Sequence, residues 1–110
     1  MSGEPSYIEL GVEDADRARA FYGELFGWEP SGTSGPGQVD TPTVDIGIHD
    51  GDDAAHFEVF FAVDDLEESL EKLTELGGRT LSEVNDNPGF GRWVECVDDQ
   101  GVRFGMRQPH

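Results

Sequence analysis

Two short stretches hold most of the side chains that could do chemistry. Tyr7-Ile8-Glu9 lies near the N-terminus, and His56-Phe57-Glu58-Val59-Phe60 lies near the middle of the 110 residues. Residues two apart on a strand point to the same side, so Tyr7 shares a face with Glu9, and His56 with Glu58 and Phe60. A carboxylate set against aromatic walls is poorly solvated, which raises its proton affinity and suits it to general-base work. The same carboxylates could instead hold a cation over aromatic faces. A metal is the competing chemistry. Glu9, Asp45, His49, His56 and Glu58 could imitate a two-His-one-carboxylate arrangement. Against this, His49 and His56 bracket an acidic turn and read equally well as solvated residues.

The elements that must position these groups occur twice. Val12-Glu13-Asp14 opens a helical run that stops at Gly27, and Val63-Asp64-Asp65 opens another that stops at Gly78, 51 residues later in both cases. A strand-like stretch precedes each, Tyr7–Gly11 and Glu58–Ala62, and Gly-rich, strand-prone sequence follows each. The spacing predicts a strand over 6–12 and a helix capped by Asp14 with an apolar stripe of Ala18, Phe21, Tyr22, Leu25 and Phe26. It predicts a short strand at Trp28-Glu29-Pro30, a mobile connection over 31–38 and a strand over 43–49. In the second half, Asp65-Leu66-Glu67-Glu68 is a capping-box pattern, with Leu66, Leu70, Leu73 and Leu76 as the inner stripe. Strands are expected over 79–85, 91–97 and 102–108, with Asp98-Asp99-Gln100-Gly101 as a hairpin turn. The turn at Gly51-Asp52-Asp53 divides the chain into modules of residues 1–53 and 54–110, one structural domain in all. Two strand–helix–strands units imply sheets that bury one face and leave a groove.

Composition excludes several classes. Twenty-four acidic residues face seven lysines and arginines, a net charge of −17. Such a surface repels phosphate backbones and anionic membranes, so nucleic acid and membrane are not expected partners. The acidity fits adaptation to a salt-rich cytoplasm, or a groove that attracts a cationic ligand. The single cysteine, Cys96, allows no internal disulfide and reads as a small strand residue. The first residues resemble no signal peptide and no apolar run is long enough to span a bilayer, so a soluble, cytoplasmic protein is expected. Asn87-Pro88-Gly89-Phe90-Gly91 lacks the spacing and following helix of a phosphate loop, and no serine sits in a nucleophile elbow.

Three ordered segments resemble one known group. Phe21-Tyr22-Gly23-Glu24-Leu25-Phe26-Gly27-Trp28, Val63-Asp64-Asp65-Leu66 and the stretch from Asp98 to Pro109 are similar to those of the vicinal oxygen chelate superfamily. Its members include glyoxalases, bleomycin-resistance proteins and extradiol dioxygenases. The resemblance implies an α+β fold of two paired βαβββ modules forming a curved mixed sheet around a cleft, and frequent homodimers. It also implies divalent-metal ligands on the first strand of each module and a Glu on the last strand. Those positions fall on Tyr7, Glu58 and Gly105, so the inherited ligand set is incomplete and no metal or other cofactor is expected. One carboxylate is too few for a catalytic centre that wants about three protein ligands. Within the implied cleft, Glu58 is the candidate catalytic base. Tyr7, Glu9, Asp45, Phe60, Trp93, Glu95 and Arg103 are the candidate ligand-binding residues, with Arg103 and Arg107 also placed to neutralise Glu9 or Glu58. The expected function is binding or transforming a small molecule without the usual metal. The alternative is a metal-dependent glyoxalase-like lyase, isomerase or dioxygenase with rearranged ligands.

Overall fold

A computed structural model describes residues 3–28, 38–39, 41, 43–52 and 54–109. The elements run β1 (Glu4–Gly11), α1 (Ala15–Phe26), β2 (Gln38–Val39), β3 (Asp45–His49), β4 (His56–Ala62), α2 (Leu66–Glu75), β5 (Arg79–Thr80), β6 (Asn85–Asn87), β7 (Gly91–Val97) and β8 (Arg103–Gln108). Parallel and antiparallel pairings both occur, so the class is α+β with mixed strand pairing. The chain divides into two compact units, Tyr7–Glu58 and Met1–Ser6 with Val59–His110. No helix among the described residues is long and apolar enough to cross a membrane.

In the first unit β1 runs parallel to β3, with Tyr7 opposite Asp45, Glu9 opposite Gly47 and Gly11 opposite His49. The even-numbered residues Leu10 and Ile48 turn toward α1 and meet Ala15 and Ala18. Asp14 caps the helix by accepting the Arg17 amide, and Gly27 ends it in the left-handed region at φ 75°, where glycine carries no Cβ penalty. The expected apolar stripe is only partly buried. Ala18 is in the core, but Phe21, Leu25 and Phe26 are 59–61% exposed. The helix rests on the sheet through small alanines, which leaves the rings to pack among themselves: Tyr22 stacks on Trp28 at 5.2 Å and on Phe26 at 6.0 Å.

The second unit is built on β7, which pairs antiparallel with β8 from Arg92↔Gln108 to Val97↔Arg103. β8 pairs parallel with β4 through Phe60↔Gly105. Leu66 of α2 packs with Val63, Val94, Cys96 and Met106, with Leu70 and Leu73 partly buried against them. Asp65 caps α2 by accepting the Glu68 amide, and the Gln108 side chain takes the Leu66 N–H at 2.8 Å. Leu76 departs from the expected stripe, at 68% exposed. The last helical residue is Glu75, so the backbone has already left the helix at Leu76. The Asp98 carboxylate accepts the amides of Gln100 and Val102, and Gly101 takes φ 87°, closing the expected hairpin.

Other boundaries differ from expectation. The strand expected over 79–85 is broken into β5 and β6. Trp28 lies outside any strand, while residues 29–37 and Asp53 fall outside the described residues. β2 was not legible because a two-residue pairing has no period to detect.

Candidate functional site

The candidate residues fall into two groups, one in each unit. In the first unit the odd-numbered face of β1 is polar. The Tyr7 hydroxyl donates to Glu9 Oε1 at 2.8 Å. Gly47 makes this possible, since a Cβ there would overlap the Tyr7 hydroxyl and the Glu9 carboxylate. The other Glu9 oxygen, Oε2, lies 2.5 Å from His49 Nδ1. Asp45 sits half-buried opposite Tyr7 in the register.

Beyond His49 the polar contacts continue. His49 Nε2 is 3.3 Å from Asp52 Oδ2, and the same oxygen is 3.6 Å from His56 Nδ1. His56 Nε2 lies 3.6 Å from Glu58 Oε1. Glu58 is 2% exposed and is the one buried charged residue among those described. Glu9, and then Asp52, hold His49 above its ordinary value of 6.5 by favouring the imidazolium, against a partial loss of solvation. Asp52 is held below its ordinary 3.8, first by the Ala54 amide and then by the histidines. Thus His49 and His56 are not simply solvated around the turn, as the blander expectation had it. Sequence reasoning also missed Asp52 as their common partner. The available signal was that two histidines seven residues apart flank a tight turn carrying a carboxylate.

The second unit holds an aromatic group. Phe60 is 4% exposed. Its ring meets Phe90 at 5.9 Å and Trp93 at 5.8 Å, both edge to face, the geometry ring quadrupoles favour. The Trp93 indole N–H is buried without a hydrogen-bond acceptor among the described residues. Arg107 lies over the Phe90 ring at 4.1 Å and donates to the Phe90 carbonyl. Arg103 reaches Glu95 at 3.9 Å, with both side chains partly exposed. The sequence reading offered Arg103 and Arg107 as partners of Glu9 or Glu58; within its own unit Glu9 meets Tyr7 and His49. Phe90 was missed because its two flanking glycines raised only the question of a phosphate loop.

The metal set implied by resemblance can be tested on these side chains. At Tyr7 the hydroxyl is committed to Glu9. At Gly105 a side chain cannot begin, because the Phe60 ring fills the Cβ space. Among the described residues no three His, Cys, Asp or Glu side chains converge as a cation requires. The residues present do not fit the inherited centre.

Comparisons with known proteins agree with the fold. Residues 7–106 match the glyoxalase-like domain family. The Anthracycline biosynthesis protein DnrV of Streptomyces peucetius is 31% identical over 116 residues, covering 96% of this chain and 42% of that protein. The chain therefore spans less than half the length of that relative. A glyoxylase-like domain-containing protein of Didymella fabae is 32% identical, with 76% of each chain covered. The methylmalonyl-CoA epimerase of Mycobacterium tuberculosis superposes with a TM-score of 0.74 at 16% identity, over 97% of this chain and 88% of that one. A variant of the Streptomyces coelicolor epimerase in complex with 2-nitronate-propionyl-CoA gives 0.70 at 16% identity, over 99% of both. With its strand–helix–strands repeat, mixed pairing and a match spanning nearly the whole length, the chain belongs to the glyoxalase-like domain family of the vicinal oxygen chelate superfamily.

Proposed function

We propose that this domain binds a small oxygenated metabolite and exchanges a proton with it through Glu58, without the metal centre common in its superfamily. The observation that carries this reading is the burial of Glu58, a carboxylate 2% exposed on a strand whose one other buried residue is Phe60. Keeping a charge-bearing group out of water costs stability, and such cost concentrates where chemistry is done. The replaced positions Tyr7 and Gly105 support metal independence. The 2-nitronate-propionyl-CoA held by a structural neighbour supports a small carbonyl compound as the substrate class.

The test is proton exchange at carbon in deuterated buffer, with methylmalonyl-CoA and the hemithioacetal of methylglyoxal as probes. Wild type exchanges the acidic C–H, Glu58→Gln abolishes exchange, and the variant's melting temperature stays close to wild type. Exchange that is unchanged in Glu58→Gln removes this residue from the site. Exchange that depends on added metal restores the alternative of rearranged ligands.

A second reading, sequestration without turnover, draws on the Phe60, Phe90 and Trp93 cluster. The Streptomyces relatives are named for anthracycline biosynthesis, so planar polycyclic aromatics belong in the same panel. Saturable quenching of tryptophan fluorescence with no turnover favours it. Homodimer formation belongs to the proposal as well, with the exposed Phe21, Leu25 and Phe26 as apolar surface on α1. Light scattering after size exclusion tests it. A cytoplasmic setting suits the buried Cys96 thiol.

A further inference from the structure

The first unit contains a line of alternating carboxylates and imidazoles that a single buried base does not need. It runs from Glu58 to His56 on β4, to Asp52 in the turn, to His49 on β3 and to Glu9 on β1, with steps of 3.6, 3.6, 3.3 and 2.5 Å. Side-chain exposure is 2% at Glu58 but 27% at His56, 23% at Asp52, 46% at His49 and 25% at Glu9, so every member except Glu58 reaches solvent. Space for it is kept by Gly11, where a Cβ would strike Asp52 and His49.

We infer that His56, backed by Asp52 and His49, is the path by which a proton passes between Glu58 and water. This rests on the reading of Glu58 as the base. A carboxylate that takes a C–H proton leaves the electron pair on the substrate carbon, delocalised into its carbonyl. To turn over, the resulting carboxylic acid must give that proton up, and bulk water does not reach a side chain so deeply buried. His56 is poised for this. Its Nδ1–H donates to the Ala54 carbonyl at 2.6 Å, which leaves Nε2, the nitrogen facing Glu58, with its lone pair. Transfer restores the Glu58 carboxylate and makes His56 an imidazolium. That imidazolium releases its Nδ1 proton to Asp52 and then to water, and exchange of the ring protons with water returns hydrogen to Nδ1 and restores the Nε2 lone pair. Both 3.6 Å steps exceed hydrogen-bond length, so each transfer requires a small side-chain rotation or one bridging water.

Among the described residues, the groups facing the two imidazoles are carboxylates or backbone: Glu9 and Asp52 at His49, and Asp52, Glu58 and the Ala54 carbonyl at His56. Tyr7 faces Glu9 from the same strand. The raised proton affinity of His49 suits a terminal proton acceptor near neutral pH. A line also differs from a metal site, in which ligands converge on one point.

Two measurements test the path. In the deuterium-exchange assay, His56→Gln slows exchange by about tenfold or more, and added imidazole buffer restores the rate. Glu58→Gln is inactive and is not restored. Exchange that survives in His56→Gln while Glu58→Gln abolishes it overturns the path and leaves the base in place. Exchange unaffected by Glu58→Gln overturns both. The second measurement uses ligand-free protein and therefore decides the matter even if neither probe reacts. In nitrogen-15 spectra, the His56 ring resonances at fixed pH move in both Glu58→Gln and Asp52→Asn, and stay in place in Glu71→Gln. Identical His56 ring resonances in all four proteins overturn the path. So does zinc or manganese held stoichiometrically by wild type and lost in His56→Gln.

Discussion

The two units use one scaffold position in opposite ways. Glu9 on β1 and Phe60 on β4 are 51 residues apart, at corresponding places in the repeat, and each faces a glycine on the neighbouring parallel strand, Gly47 or Gly105. In both units the missing Cβ makes room for an aromatic residue, the Tyr7 hydroxyl end over Gly47 and the Phe60 ring over Gly105. From there they diverge. Around Glu9 the space is spent on hydrogen bonds to Tyr7 and His49. Around Phe60 it is filled by Phe90 and Trp93. The lesson is that a repeat preserves backbone spacing while its side chains settle the chemistry, polar and titratable in one copy, apolar and close-packed in the other.

The contrast can be broken most severely at Phe60. Truncation to alanine removes a 4%-exposed ring and is expected to cost about 3–5 kcal/mol in denaturant unfolding; a loss below about 1 kcal/mol would mean that the cluster is not close-packed. The glycines sharpen the comparison next. Gly105→Ala drives a methyl into a ring held by two others, at about 1–3 kcal/mol. Gly47→Ala meets the Tyr7 hydroxyl end and the Glu9 carboxylate, disrupting one hydrogen bond rather than a packed ring cluster, at about 1 kcal/mol. Equal losses would refute the distinction between a packed and a polar copy.

Salt separates the units in a different way. α2 carries Glu67, Glu68, Glu71 and Glu75 against Lys72, whereas α1 sets Asp16 and Glu24 against Arg17 and Arg19. We therefore propose that the acidity is salt adaptation, with α2 the more acidic of the two helices. Raising potassium chloride from dilute to molar should lift the melting temperature by about 5 °C or more. In hydrogen exchange at low salt, α2 amides should open before those of α1. No salt dependence would return the acidity to ligand attraction.

The smallest expected effect is the pH response of His49. Its raised proton affinity gives stability that is complete below about 6.5 and is lost as pH climbs through the higher folded-state value. Wild type should therefore lose a little more stability than His49→Gln between neutral and mildly alkaline pH. Because the side chain is 46% exposed, solvent screening limits the difference to about a few degrees in melting temperature. Parallel profiles for the two proteins would show that the Glu9 contact carries no net stability.

Much of the fold was legible in the residues because its signals are local. Asp14 and Asp65 announce helix starts through side-chain acceptors for free amides, and Gly27 and Gly101 announce stops and turns through positive φ. Alternation in β1 and β3 separated Leu10 and Ile48 from the polar face correctly. The α1 stripe was misjudged because periodicity says which residues share a side, but not how closely a helix rests on its sheet. Ala15 and Ala18 bring it in, and Phe21, Leu25 and Phe26 remain outside. The candidate site divides in the same way. Glu58 and Glu9 were visible as carboxylates on strands, while Asp52 as the link between His49 and His56 was not.

The sequence by itself therefore determined the repeat, the caps, the turns and the charge. Each is written in neighbours a few residues apart or in a fixed offset between copies. Tertiary structure alone decided that Phe60 would fill the space at Gly105, that Glu58 would be buried, and that Glu9 and His49 would meet across 40 residues of chain. Those outcomes depend on strand register and on which side chain reaches a vacant volume first, and both are set by contacts between segments remote in sequence.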